Sequence, residues 1–144
     1  MSRRVNVLFV CFANAIRSQM AEALARAYGS DVIEPRSAGL AATWAVSPIA
    51  RQVMAERNLN MDEQFPKGLH EIDANAFDLI VNMSGLPMPD GITAPVREWQ
   101  VRDPVGEKEK SYRQVANEIE RLVIALVLEF RKEFPGTASE TRRP

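Results

Sequence analysis

The chain has 144 residues, with 18 Lys plus Arg against 19 Asp plus Glu, one Cys, one His and 46% hydrophobic residues. That is the size of one domain, able to bury roughly two thirds of its unfolded surface without disulfide or metal staples. A single cysteine excludes an internal disulfide framework and a zinc ribbon and points to a reducing, cytoplasmic setting. A formal net charge of -1 excludes a global attraction to nucleic acid or anionic membrane, so neither is expected as a partner.

In chain order, the basic start Met1-Ser2-Arg3-Arg4 leads into the apolar run Val5 to Val10, which is too short for a leader's apolar region. No stretch approaches the roughly 20 apolar residues of a membrane span, so a soluble chain is expected. Val5 to Val10 reads as a strand buried on both faces of a parallel sheet. From Ser18 to Tyr28, Met20, Ala23, Leu24, Ala27 and Tyr28 recur at helical spacing, with Gly29 as the expected stop. Val32 to Ser37 reads as a second strand. Ser47-Pro48 forms a cap and first-turn pair for a helix through Arg57, with Ile49, Val53 and Met54 inward. Phe77 to Met83 is a third strand, Ser84 to Pro95 a Gly/Pro-rich loop, and Val96 to Val101 a more polar fourth strand suited to a sheet edge. Tyr112, Val115, Ala116, Ile119, Leu122, Val123, Leu126 and Phe130 form the apolar stripe of a long helix ending near Phe134. Ile124, Val127 and Leu128 widen that stripe, consistent with a monomer or a weak dimer. The alternation predicts one doubly wound α/β domain over residues 1–134, with a four-stranded parallel sheet flanked by helices. The Pro-, Thr-, Ser- and Arg-rich tail from Pro135 to Pro144 is expected to be disordered.

In such folds ligands bind beyond the C-terminal strand ends. Here the first connection is Cys11-Phe12-Ala13-Asn14-Ala15-Ile16-Arg17-Ser18. A lone cysteine after an apolar strand is ordinarily an inert small hydrophobe. An arginine opening a helix, however, sits at the electrostatically wrong end, and a bound oxyanion gives it a reason. Inward loop amides and the helix N-terminus would cradle phosphate. The same field, with a hydroxyl donor from Ser18, favours Cys11 as the nucleophilic thiolate, while Arg17 offers a fork to two oxygens. The loop lacks glycine, so Asn14 is the residue expected to take a left-handed conformation. Asp103, after the fourth strand and before Pro104, lies at the same sheet edge as Cys11 and is the expected proton donor to a leaving oxygen, although Asp-Pro-x-Gly is also an ordinary turn. His70 lies in a polar stretch far from every strand end and is expected at the surface.

These segments resemble the low-molecular-weight protein tyrosine phosphatases and the thioredoxin-coupled arsenate reductases that share their fold. The resemblance spans V-L-F-V-C-F-A-N-A-I-R-S-Q-M-A-E-A at Val7 to Ala23, S-A-G at Ser37 to Gly39, D-L-I-V at Asp78 to Val81 and E-W-Q-V-R-D-P-V-G at Glu98 to Gly106. It implies Cys11 as nucleophile, Arg17 as phosphate ligand, Ser18 as thiolate stabiliser, Asn14 as loop organiser and Asp103 as general acid. Phe12, Ala13, Ala15 and Ile16 would complete the phosphate-binding loop. Ser37 would support the loop from behind, and Trp44 would wall the substrate pocket. The chain departs from the phosphatases in carrying Ile16 where a second loop cysteine is usual, Gln19 in place of proline, and Val105-Gly106 in place of paired tyrosines. It departs from the reductases in having no cysteine in the loop from Met83 to Pro95. The expected function is a cysteine-dependent phosphomonoesterase working through a cysteinyl phosphate on phosphotyrosine proteins or small aryl phosphates, with no cofactor and no metal. An arsenate reductase borrowing low-molecular-weight thiols is the second expectation, and a non-catalytic oxyanion-binding module the third.

Overall fold

Strand β1 (Val5–Cys11) is apolar on both sides because both of its faces are covered. Its odd positions Val7, Phe9 and Cys11 enter one cluster of buried residues, and its even positions Leu8 and Val10 enter another. The computed structural model describes residues 3–133, so the tail expectation for Pro135 to Pro144 lies outside the described residues. Around β1 are α1 (Arg17–Gly29), β2 (Ile33–Gly39), α2 (Pro48–Ala55), β3 (Leu79–Asn82), β4 (Val96–Glu98) and α3 (Glu109–Glu133). The sheet order is β2-β1-β3-β4 with every pairing parallel. The four-stranded α/β fold read from the sequence is therefore the fold observed. Strand order reverses at β1, which puts the β1 connection at the crevice where such sheets bind ligands.

All three α-helices contribute to the cluster on the first face: Met20 and Leu24 from α1, Val53 and Met54 from α2, Ile119 and Val123 from α3. The second face is closed by two short 3₁₀ turns, Leu69–Glu71 and Ala74–Ala76, together with Phe77, Met88 and Ile92. Those turns are too short for helical periodicity to signal.

Several boundaries differ from the sequence reading for identifiable reasons. Strand β2 runs on to Gly39 because Ala38 and Gly39 pair with Val10 and Cys11. β4 ends at Glu98, and Trp99 adds one bond, from its N–H to the Asn82 carbonyl (2.9 Å), before the chain turns toward the site. The Ser47 hydroxyl accepts from Ala50 N–H (3.2 Å), the expected cap, but α2 stops at Ala55 and its exit is marked by Asn58 at φ 63°. Gly29 is not a left-handed stop. It is the last residue of α1, and the helix ends on Ser30 in right-handed geometry. A Cβ at Gly29 would run into the side chain of Val127, so the glycine sets how closely α1 and α3 approach. Val127 is accordingly buried, while Ile124 and Leu128 are exposed. None of the described helices is long and apolar enough to cross a membrane.

Gly29→Ala is expected to lower the unfolding free energy by about 1–2 kcal/mol, since overpacking outweighs the better helix propensity of alanine. In a Val127→Ala background the same change is expected to stabilise. Urea unfolding of the four chains in this cycle tests it; an unchanged midpoint for Gly29→Ala alone would show that the helices are not held apart by this contact.

Candidate active site

The loop between β1 and α1 is built by the disposal of its carbonyls. Cys11 C=O accepts from Leu40 N–H (3.1 Å), Phe12 C=O from Ala41 N–H (2.8 Å), Ala13 C=O from Thr43 N–H (3.1 Å) and Ala15 C=O from Ser47 N–H (3.0 Å). Ile16 C=O accepts from Met20 N–H (2.9 Å) and Asn14 C=O from the buried Gln19 side chain (2.9 Å). With six successive carbonyls engaged on the outside, the amides are turned inward, and among the described residues those of residues 12–16 donate to no protein group. Inward amides at a helix N-terminus form an anion-binding nest.

The curl depends on Asn14, which adopts φ 52°. Its side chain is fixed at both ends: Nδ2 donates to Ser18 Oγ (2.7 Å) and Oδ1 accepts from Lys67 N–H (2.9 Å). Because Ser18 Oγ already accepts from Asn14, its own proton is free for Cys11 Sγ, 2.9 Å away. The relay delivers a hydroxyl donor to the sulfur in a buried setting where such bonds strengthen one another. Gly39 closes the back of the loop; a Cβ there would lie 2.8 Å from Phe12 C=O and 2.9 Å from Asn14 N.

Arg17 is almost fully buried. Its guanidinium donates to the carbonyls of Met83 (2.6 Å) and Val101 (3.1 Å), at the ends of β3 and beyond β4, and pairs with Asp103 Oδ2 at 3.4 Å. Three of its five N–H groups are thus engaged by the protein, leaving two for an oxyanion. Asp103 is held in turn by Val105 N–H donating to Oδ1 (3.1 Å). Cys11, Ala13, Ala15, Ile16, Arg17, Asp103 and Val105 line an open pocket of about 50 Å³. A larger groove of about 1280 Å³ adjoins it, sharing Arg17 and Asp103 and lined further by Phe12, Leu86 and Trp99.

The structure therefore gathers Cys11, the loop residues Phe12 to Ile16, Arg17, Ser18 and Asp103. Two expected residues lie elsewhere. Ser37 does not bond to the loop; its hydroxyl donates to Glu22 Oε1 on α1 (2.5 Å), because residue 37 faces that helix. Trp44 is 95% exposed and lines neither the cavity nor the groove, since the 40–47 segment spends its main chain on the loop and directs this side chain outward. His70 is exposed, as expected. Sequence reasoning missed Gln19, Lys67 and the Met83 and Val101 carbonyls. Gln19 stands in the helical run as an ordinary polar residue, and main-chain partners leave no sequence signal. Among the described residues no group of three or more His, Cys, Asp or Glu side chains is placed to hold a metal ion.

A family model, low molecular weight phosphotyrosine protein phosphatase, matches residues 6–88, a span holding β1, the loop, β2 and β3. The chain belongs to this family. Among relatives, the glutaredoxin arsenate reductase of Synechocystis sp. is 32% identical over 126 residues, covering 84% of this chain and 95% of that protein. A solved arsenate reductase in the phosphate-binding state has a TM-score of 0.80 at 28% identity, covering 88% of this chain and 98% of that one. The YwlE arginine phosphatase, solved as a Cys-to-Ser mutant with a phosphorylated active-site serine, has a TM-score of 0.76 at 25% identity, covering 88% and 96%. The family fold thus carries both oxyanion reduction and phosphoryl chemistry.

Replacing Asn14 tests the nest. Asn14→Ala removes both side-chain bonds and disfavours positive φ, and should weaken inorganic phosphate binding at least about tenfold, whereas Asn14→Gly keeps the backbone conformation and should lose less. Titration calorimetry with phosphate distinguishes them. Equal losses would mean that the side-chain bonds, rather than the left-handed turn, set the nest. Cys11→Ser should keep phosphate binding, since the amides and Arg17 remain.

Proposed function

We propose that this chain is an arsenate reductase of the low-molecular-weight phosphatase family that uses Cys11 as its only protein thiol and external low-molecular-weight thiols for the remaining steps. The observation that carries this reading is the likeness to arsenate reductases over most of the chain, the glutaredoxin arsenate reductase of Synechocystis sp. being 32% identical over 84% of it. The chamber at Cys11, about 50 Å³, opens onto the larger groove through Arg17 and Asp103, and Trp44, expected to wall a substrate pocket, stands away from both.

The steps follow from the residues. Cys11 thiolate attacks arsenic, an S–As bond forms, and an As–O bond breaks with the oxygen leaving as water on a proton from Asp103. Arg17 and the loop amides hold the remaining oxygens. An external thiolate then attacks arsenic, displacing Cys11, which returns to its Ser18 hydroxyl. A second external thiol attacks the sulfur of the released adduct; a disulfide forms and the S–As electron pair stays on arsenic, giving arsenite. Two electrons pass from two external thiols to As(V), and no second protein cysteine is required.

A second reading, a phosphomonoesterase acting through a cysteinyl phosphate, is favoured by the pairing of Arg17 with Asp103 beside Cys11 and by the adjoining groove, which could take a phosphoester's leaving group. A side-by-side assay decides. Arsenite release is expected with glutathione as sole reductant, at least about tenfold above the enzyme-free rate, with nothing from thioredoxin alone and nothing from Cys11→Ser. Hydrolysis of para-nitrophenyl phosphate without thiol-dependent arsenite formation would replace the reductase reading by the second one. Asp103→Asn is expected to slow the first chemical step by about 100-fold in either case.

A further inference from the structure

We propose that the cleft bounded by α1, β2 and the segment from Asn60 to Phe77 is a second binding site, for an organic anion with an aromatic body, and that its occupancy is felt at the oxyanion loop. The cleft is separate from the Cys11 chamber and measures about 860 Å³, within the ~300–1,000 Å³ of small-molecule pockets. Its formal charges cancel, three bases against three acids, but two of the acids are already engaged. Of its acids, Glu22 is consumed by the Ser37 hydroxyl and by Arg26 (2.8 Å), and Glu34 pairs with Arg4 at 2.7 Å. Arg36 and Lys67 line the same cleft, and among the described residues neither forms an ion pair. Lys67 Nζ donates only to the Phe65 carbonyl (3.3 Å) and lies 4.9 Å over the Phe65 ring. Burial pushes the Lys67 ammonium below its ordinary range, Glu22 opposes that, and Arg36 and Arg26 add to it. An anion lodged between Arg36 and Lys67 would answer both cations.

The body of the ligand is set by the other wall. Phe65 is 62% exposed, and Phe77 and Ile72 are half-buried in the same cleft. Exposed aromatic surface beside two cations fits a flat apolar group carrying one negative charge, Glu63 being the remaining carboxylate that opposes a larger one.

The link to the loop runs through one or two hydrogen bonds. Lys67 N–H donates to Asn14 Oδ1, and Lys67 C=O accepts from Gly39 N–H (2.9 Å). Gln64, also in the cleft, donates to Gln19 Oε1 (2.7 Å), and Gln19 donates to Asn14 C=O. A ligand that holds residues 64–67 therefore steadies Asn14, the residue on which the nest turns. Ordering by one ligand lowers the ordering cost of the other, so coupling is positive and reciprocal.

The probe is 1-naphthoate, whose planar carboxylate does not match a nest for tetrahedral oxyanions. It is titrated into the full chain while amide resonances are followed. Saturable shifts at Phe65, Lys67 and Phe77 are expected below about 10 mM, with no displacement by inorganic phosphate. Arg36→Gln and Lys67→Gln should each weaken naphthoate at least about fivefold, and Phe65→Ala, at an exposed ring, supplies a third variant that leaves the core untouched. Phosphate should bind at least about threefold more tightly in the presence of naphthoate. Absence of saturable shifts, shifts confined to residues 12–18 and reversed by phosphate, or unaltered affinity in all three variants would overturn the site. Unchanged phosphate affinity with naphthoate bound would overturn the coupling.

Discussion

The direction in which six carbonyls point organises the whole site. A chain leaving a parallel strand and entering a helix has to settle its C=O groups, and here Cys11 to Ile16 settle theirs outward on residues 40–47, Gln19 and Met20. The inward amides are the consequence. That settlement requires β2 to reach Gly39 in register with Cys11, because the 40–47 segment starts from there. It requires a residue without a Cβ at 39, where an added Cβ would lie 2.8 Å from the Phe12 carbonyl oxygen. It also requires one loop residue in the left-handed region, and Asn14 meets that need with a side chain that is itself a bracket between Ser18 and Lys67.

The charge at the floor of the site follows a similar logic. A nearly buried guanidinium is costly unless it is hydrogen-bonded, and Arg17 meets two carbonyls and one carboxylate. The two carbonyl bonds fix the cation whether or not a ligand is present, so little reorganisation is left for binding. Asp103 is different: its 3.4 Å contact is long and its side chain is 38% exposed. An arriving oxyanion finds two Arg17 N–H groups free, beside the carboxyl that the proposed chemistry uses as proton donor.

Much of this was legible in the sequence because it rested on local chemistry. The both-faced apolarity of Val5 to Val10, the Ser47-Pro48 cap and the long stripe on α3 each carry a pattern that burial enforces. The expectation of positive φ at Asn14 followed from the lack of glycine in a loop that had to curl. What was misread depended on packing partners distant in sequence. Gly29 looks like a helix stop by composition but is small because Val127 is opposite. Ser37 faces α1 rather than the loop, and Trp44 points to solvent, since a resemblance fixes the path of the backbone better than the direction of a side chain on a connecting segment. Main-chain acceptors such as Met83 C=O exist at every residue and so mark none.

The loop itself does not choose between phosphorus and arsenic. Both present a tetrahedral oxyanion of the same charge, and in either proposed reaction Cys11 would attack in line and the leaving oxygen would take a proton from Asp103. The choice is made by what meets the sulfur adduct next. Water resolves a cysteinyl phosphate and needs no electrons; a cysteinyl arsenate releases arsenite only when a thiol sulfur arrives, and the chain's one cysteine is already bound. Met83 to Pro95, the segment beyond β3, supplies no thiol, so in the proposed reductase reading the second thiol would enter along the groove that ends at Arg17 and Asp103. Under the proposed reductase reading, the small chamber at Cys11 opening onto a groove many times its volume fits a division of labour in which the protein would bind and activate the anion and the electrons would come from outside.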